Sequence, residues 1–274
     1  MSLYICSLNS GSNGNCYYVG NDKEAVLVDA GLSCRETERR LERAGLEIGN
    51  IKAIFISHEH SDHIRGVEVL SKKHRLPVYI TPSTKQAGRL QLQPGLEKTF
   101  NGTEPVPIGS LIVRAFYKAH DASDPHSFVI EHNETTIGVF TDIGSACRQL
   151  ISNFSRCNAV ILESNYDEKM LHEGPYPFYL KKRISGGMGH LSNTEALKLV
   201  LTYRRQDLSH VLLAHLSAEN NCPRLVHDLF SSHLPDTRIV VAPRHEETAV
   251  YQINGNGSTT TLSQTGSQVQ MSLF

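Results

Sequence analysis

Short, wholly apolar runs alternate with amphipathic stretches along this chain, and that alternation sets the predicted elements. Residues 3–6 and 16–19 read as strands around the polar turn 9–15, and 25–28 as a buried strand that ends at Asp29-Ala30-Gly31. A helix starts at Ser33, where Ser33 and Glu36 have capping-box spacing, and stops at Gly45. Residues 51–57 form an apolar strand that runs into His58, 64–74 a helix, and 78–80 a further strand. Strands are predicted over 111–116, 128–131 and 136–140, then a helix over 145–153, a strand over 159–163 and a helical segment over 177–184. A second capping box, Ser192 with Glu195, opens a helix with the apolar stripe Ala196, Leu197, Val200 and Leu201. Residues 210–214 make a strand ending at His215, and 238–242 a late strand.

Strands and helices alternate through both halves without a linker or repeat, so one layered α/β domain over 1–253 is expected. Residues 254–274 are mostly Gly, Ser, Thr, Asn and Gln, which predicts a loosely held polar tail. The 274 residues include 39% hydrophobic ones, enough for a substantial core. No apolar run approaches the roughly 18–20 residues that span a membrane. The first six residues lack the basic start and apolar stretch of a secretory signal. These features predict a cytoplasmic protein with no membrane partner. In a reducing compartment the six cysteines, none of them in a C-x-x-C pair, are expected to be buried free thiols.

Net charge is −1 and the sequence pI is near 6.9, so the chain lacks the overall basicity of a typical nucleic-acid-binding domain. Contact with a polyanion would have to come from local runs such as Lys72-Lys73-His74-Arg75, Lys181-Lys182-Arg183 or Arg204-Arg205, each of which also fits a solvated helix face.

The strongest chemical signal is His58-Glu59-His60-Ser61-Asp62-His63. Three imidazoles and a carboxylate crowd into one loop directly after a buried strand. Imidazole suits zinc and other first-row metals, and carboxylate suits harder ones. One compact loop can direct His58 and His60 to one point and Asp62 and His63 to another, so it can serve two adjacent ions.

This H-x-H-x-D-H loop resembles that of the metallo-β-lactamase superfamily, and the resemblance extends along nearly the whole chain. Asp29 in Leu27-Val28-Asp29-Ala30-Gly31, His120 after strand 111–116, Asp142 after strand 136–140 and His215 after strand 210–214 follow the superfamily's order. The resemblance implies an αββα four-layer sandwich with its site at one edge of two sheets. It implies one divalent ion on His58, His60 and His120, a second on Asp62, His63 and His215, Asp142 between them, and a bridging hydroxide as the attacking group. Zn²⁺ or Mn²⁺ fits this donor set, as does Fe. Asp29 then stands behind the ligands, holding a ligand histidine or the Asp62 loop.

An aspartate at 142 fits the phosphodiesterases and thioester hydrolases of the superfamily better than its lactam-cleaving members, which the resemblance would associate with Cys there. Gly189-His190-Leu191-Ser192-Asn193 resembles the G-H-S-T segment of tRNase Z, in which a non-ligand histidine serves phosphodiester cleavage. His190 is therefore expected to be a catalytic residue outside the metal set, beside a helix start where anions are favoured, and Asp62 to be catalytic as well as a ligand. The segments Ser10-Gly11-Ser12-Asn13-Gly14-Asn15, His120-Asp121-Ala122-Ser123-Asp124-Pro125, Leu162-Glu163-Ser164-Asn165, Gly174-Pro175-Tyr176-Pro177 and His215-Leu216-Ser217-Ala218-Glu219-Asn220-Asn221 are similar to the YycJ/WalJ family, from which the chain departs at His126. That family implies 5′→3′ exonuclease action on double-stranded DNA. Only residues 143–214 separate Asp142 from His215, too few for the second domain of RNase J-type enzymes, and no tRNase Z-like arm is present. The expected function is thus a dinuclear metal-dependent phosphodiesterase, a DNA exonuclease. A small-molecule hydrolase acting on a thioester, lactone or cyclic phosphodiester is the alternative, and a metal-bound regulatory module without turnover a second one.

Overall fold

Strands whose residues are apolar on both faces can be buried only between two other layers. The computed structural model, which describes residues 2–255 and 259–261, provides those layers. In chain order the strands and helices are β1 (Leu3–Asn9), β2 (Cys16–Gly20), β3 (Ala25–Val28), α1 (Cys34–Arg43), β4 (Ile51–Phe55), α2 (Ser61–Ile64), α3 (Val67–His74), β5 (Val78–Tyr79), α4 (Pro82–Gly88), β6 (Glu97–Lys98), β7 (Val106–Ile108) and β8 (Leu111–Tyr117). They continue as β9 (His126–His132), β10 (Thr135–Phe140), α5 (Arg148–Phe154), β11 (Ala159–Glu163), α6 (Glu168–Glu173), α7 (Phe178–Ile184), α8 (Asn193–Tyr203), β12 (His210–Ala214), α9 (Pro223–His233), β13 (Arg238–Val241), β14 (Tyr251–Ile253) and β15 (Thr259–Thr261).

One sheet runs β15-β14-β1-β2-β3-β4-β5-β6 and the other β13-β12-β11-β10-β9-β8-β7. Alternation along the strands builds three apolar layers. Ala159 and Ile161 of β11 and Leu212 and Ala214 of β12 meet Ile5, Val19, Val28 and Phe55 of the first sheet in the central core. Val160, Leu162, Val211 and Leu213, from the opposite face, pack on Leu150, Val200, Val226 and Phe230 of α5, α8 and α9. On the other side Leu27 and Ile54 pack on Leu41, Val67 and Leu70 of α1 and α3. The result is the expected αββα order.

Several boundaries differ from the sequence reading. The helix expected over 64–74 is two helices, broken at Gly66. A Cβ there would stand 1.8 Å from the Leu32 carbonyl oxygen, so the chain passes against the loop that follows β3 as only glycine can. At α1, Ser33 accepts from the Glu36 N–H, but the Glu36 carboxylate turns to Arg39 and Arg40 and does not complete a capping box. The box at Ser192 and Glu195 is complete. The strand before His58 ends at Phe55, and α5 starts at Arg148, capped by the Cys147 thiol. The sequence reading missed α9, although Pro223 at its first position and Leu225, Val226, Leu229 and Phe230 at helical spacing were available signals. Cys6, Cys16, Cys34 and Cys157 are buried, as expected, whereas Cys147 is half-buried and Cys222 exposed. Within the segment expected as a loose tail, Thr259–Thr261 pairs with β14; 256–258 and 262–274 lie outside the described residues.

Candidate metal centre

Parallel strands bring their C-terminal ends to one edge of a sheet, and ligand-bearing loops gather there. β3 and β4 are parallel in one sheet, as are β10, β11 and β12 in the other. Asp29, His58, Asp142 and His215 follow four of these strands, and Glu163 is the last residue of β11. Asp29, Asp142 and His215 all have positive φ, at 63°, 55° and 56°. Non-glycine residues rarely adopt this conformation, and here three of them cluster where each chain leaves its strand.

The loop from His58 to His63 is held from below. The Asp62 carbonyl accepts from the Asn15 N–H at 2.7 Å, and a Cβ on Gly31 would stand 1.7 Å from that oxygen. Asp29 accepts from the Ser57 N–H and hydroxyl, both at 2.8 Å, and from His63 Nδ1 at 2.7 Å. His63 Nε2 is left 3.3 Å from Asp142 Oδ2 and 3.4 Å from Asp62 Oδ2.

The donor set is one that could hold metal. His58 Nδ1 bonds the Ser57 hydroxyl at 2.8 Å, and His120 Nδ1 the Gly189 carbonyl at 3.1 Å. Because a carbonyl only accepts, the Gly189 contact places the His120 proton on Nδ1. The Nε2 atoms of His58 and His120 then converge on His60 Nδ1, at 3.0 and 3.3 Å. Neutral imidazoles in this arrangement turn lone pairs toward one another, and a cation resolves the conflict. Asp62, His63 and His215 form a second such group; His58, His63 and Asp142 form a third that links the two. Asp142 Oδ2 is buried and, among the described residues, makes no hydrogen bond, with His63 Nε2 3.3 Å away as its nearest ring nitrogen contact. An orphaned buried carboxylate oxygen is costly unless a cation neutralises it. The residues present therefore fit divalent metal.

Electrostatics around the group are strong. Burial, reinforced by the neighbouring His63 charge, pushes His58 well below the usual histidine range, and burial lowers His120 to about 4. Burial opposes charge on His63 and His215 as well, but Asp142, Asp29 and Asp62 hold His63 well above its ordinary value, and Asp142, Asp62 and Glu163 raise His215 to about 10. Lys118, fully buried behind Asp142, donates to the Thr141 carbonyl at 2.8 Å and is lowered by burial.

Sequence reasoning gave Glu163 no role in the site. It is completely buried at the end of β11 and accepts five hydrogen bonds. Oε1 takes the Asp142 N–H at 3.1 Å, His190 Nδ1 at 2.8 Å and His215 Nδ1 at 3.2 Å; Oε2 takes the Ile143 and Leu191 N–H groups at 2.8 and 3.0 Å. Burial alone would raise its carboxyl, but the histidines hold it down at about 2. The signal that could have found it is an acid closing a fully apolar strand, the same signature as Asp29.

His190 stands on the wall of a cleft of 420 Å³, shared with His60, Asp62, His120, Asp142 and His215. It lies near Asp142 and His215, with which it and Glu163 form a further cluster of ligand-type atoms, but its Nδ1 is engaged by Glu163. The lining also includes Tyr176, Leu180 and Arg183, from α7 and the turn before it.

Comparison with known proteins agrees with this architecture. The profile of the Metallo-beta-lactamase superfamily matches residues 10–142. The chain is 36% identical over 228 residues to exodeoxyribonuclease YycJ of Bacillus anthracis, covering 82% of this chain and 86% of that one. It is 31% identical to exodeoxyribonuclease WalJ of Streptococcus pneumoniae, covering 80% and 84%. In three dimensions it is similar to the metallo-beta-lactamase fold protein YhfI of Bacillus subtilis, with a TM-score of 0.70, 15% identity and coverage of 92% and 100%, a likeness of fold alone. Two nitrogen- and carboxylate-lined clusters at the strand ends of an αββα sandwich, together with this degree of identity, establish that the chain belongs to the metallo-β-lactamase superfamily and, within it, to the YycJ/WalJ family.

Proposed function

We propose that this chain is a metal-dependent phosphodiesterase that degrades DNA from an end, in the 5′→3′ direction, through a catalytic domain over residues 1–253. His58, His60 and His120 would hold one divalent ion and Asp62, His63 and His215 the other, with Asp142 joining the two groups. The observation that carries this reading is the pair of three-residue donor groups joined at the orphaned Asp142 Oδ2, with His190 beside them and not needed to complete either. The names of the relatives support DNA as substrate.

Two bound divalent ions supply Lewis-acid stabilisation of phosphate charge and make water more acidic. The protein's own groups do the rest. Asp29 and Glu163 take the Nδ1 hydrogens of His63 and His215, so that Nε2, which faces Asp62 and Asp142, is the nitrogen of each ring that would release its proton and turn a lone pair to a divalent ion. Glu163 also fixes the His190 ring through Nδ1. His190 Nε2 is then the nitrogen available to the leaving oxygen, to which it gives a proton, or to a phosphate oxygen, which it clamps.

The test is cleavage by metal-loaded protein of 5′-labelled duplex DNA, single-stranded DNA and a chromogenic phosphodiester, with salt varied. The expected result is mononucleotide or short products released from the 5′ end, with activity falling steeply as salt rises because each phosphate contact adds about 0.9 to the log–log slope. Salt-insensitive turnover of small esters with DNA left intact would instead assign the site to a small-molecule hydrolase.

A further inference from the structure

Of the three basic runs in the sequence, one lies at the cleft. α7 carries Lys181, Lys182 and Arg183, and Leu180, Arg183 and Ile184 line the cleft together with His190 and Asp62. The helix buries none of its residues fully. At its start, Phe178 is 80% exposed and Tyr179 73%, the highest values for large hydrophobic side chains among the described residues. Exposed aromatics of this size are costly to leave in water and mark contact surfaces. Tyr176, half-buried on the cleft wall, continues the aromatic series inward, and Pro175 and Pro177 restrict the backbone that leads to it.

The helix is tied to the chemistry at its other end. The Ile184 carbonyl accepts from the His190 N–H at 2.9 Å, and Gly189, one residue earlier, accepts from His120 Nδ1 at 3.1 Å. Arg183 pairs with Asp121, next to His120, at 2.6 Å, while Lys182 has no ion-pair partner among the described residues. Exposed π-faces followed by cations beside a phosphodiesterase cleft match the chemistry of an unpaired nucleic-acid strand, whose bases stack and whose phosphates need positive charge.

We propose that Phe178 and Tyr179 are a base-stacking platform for the single-stranded end of a nucleic acid, with Lys182 on the backbone, which feeds the terminal phosphodiester past Tyr176 to His190. This inference rests on the nuclease reading above and adds the residues that grip the strand.

The test uses the full, metal-loaded chain with Phe178→Leu, Tyr179→Leu, the double variant, Phe178→Tyr, Tyr179→Phe and Lys182→Gln. The probes are an oligonucleotide with 2-aminopurine near its 5′ end and thymidine 5′-p-nitrophenyl phosphate. Stacking should quench 2-aminopurine in the wild type and in the two aromatic-for-aromatic variants. Each Leu variant should lose the quench and bind the oligonucleotide about 5- to 100-fold more weakly. The ratio of kcat/KM on oligonucleotide to that on the nitrophenyl ester should fall by a similar factor, mainly through KM. Lys182→Gln should reduce the salt slope by about one. A wild type that cleaves DNA, with Leu variants matching it in quench and ratio, overturns the platform and leaves the nuclease reading intact. A wild type that neither binds nor cleaves either DNA form overturns both.

Discussion

Replacing Glu163 with glutamine changes one buried atom and tests the organisation of the whole centre. The carboxylate has two oxygens facing five donors. An amide must turn its NH2 toward one set. On the Oε2 side it meets the Ile143 and Leu191 N–H groups, backbone donors that cannot change character. On the Oε1 side it meets the Asp142 N–H and the two Nδ1 atoms of His190 and His215. Those rings can shift tautomer and accept, but His215 Nε2 then carries a proton at the atom that lies 3.4 Å from Asp62 Oδ2 and 3.6 Å from Asp142 Oδ1. The second orientation is the cheaper one, and it still leaves one backbone donor opposed and removes a ligand nitrogen. An unsatisfied buried donor costs about 1–3 kcal/mol, so the chelator-treated variant should lose about 1–3 kcal/mol, or about 2–12 °C in Tm. Affinity for the second ion should drop about 10–100-fold, as it does when an outer-shell partner is lost. Urea unfolding of chelated protein and calorimetric metal titration measure both. A variant within about 1 kcal/mol of wild type that binds two ions with native affinity would falsify the role given to Glu163.

Elemental analysis of gently purified protein should give close to two metal ions per chain, and a ratio that stays at one with added metal would remove the dinuclear arrangement. His190→Ala should keep its metal and its Tm yet lose about 10²–10⁴-fold in rate on DNA, less on a nitrophenyl ester, which needs little protonation; a fall in metal content would make His190 a ligand. Cys222, which is exposed, should react with iodoacetamide in the native state and Cys147 more slowly, whereas Cys6, raised by burial to about 12, and the buried Cys16 and Cys157 should wait for unfolding; early mass-spectrometric labelling of Cys157 would contradict its burial. Hydrogen bonds from Lys73 and His74 hold Glu38 at about 2, below its ordinary 4.5. Because its folded value is depressed, its contribution is complete above about pH 4.5 and lost as pH falls toward 2. Glu38→Gln should therefore cost about 0.5–1 kcal/mol at pH 7, a surface-sized effect, and nothing near pH 2; an equal cost at both pH values would show that the loss is not electrostatic.

Local pattern alone determined the elements that bear the site. Runs such as 159–162 and 211–214 are apolar at consecutive positions, as in a strand covered on both faces, so their place in the interior could be read directly. His58 to His63 are neighbours in the chain, so their clustering could be read locally, while Asn15, Asp29 and Gly31 set the shape of the loop from a distance. Tertiary structure decided the rest. Glu163 joins Asp142, His190 and His215 only because β10, β11 and β12 run parallel in register and end together, a relation between residues 21 to 52 positions apart. Gly66 divides a continuous helical pattern because the Leu32 carbonyl lies against it, and no periodicity carries that contact. The basic and aromatic helix α7 looks in sequence like any solvated segment. Its position against His190 follows from the way the chain returns from Ile184 to the end of β11, since side-chain period encodes which face is buried and not which distant loop that face will meet.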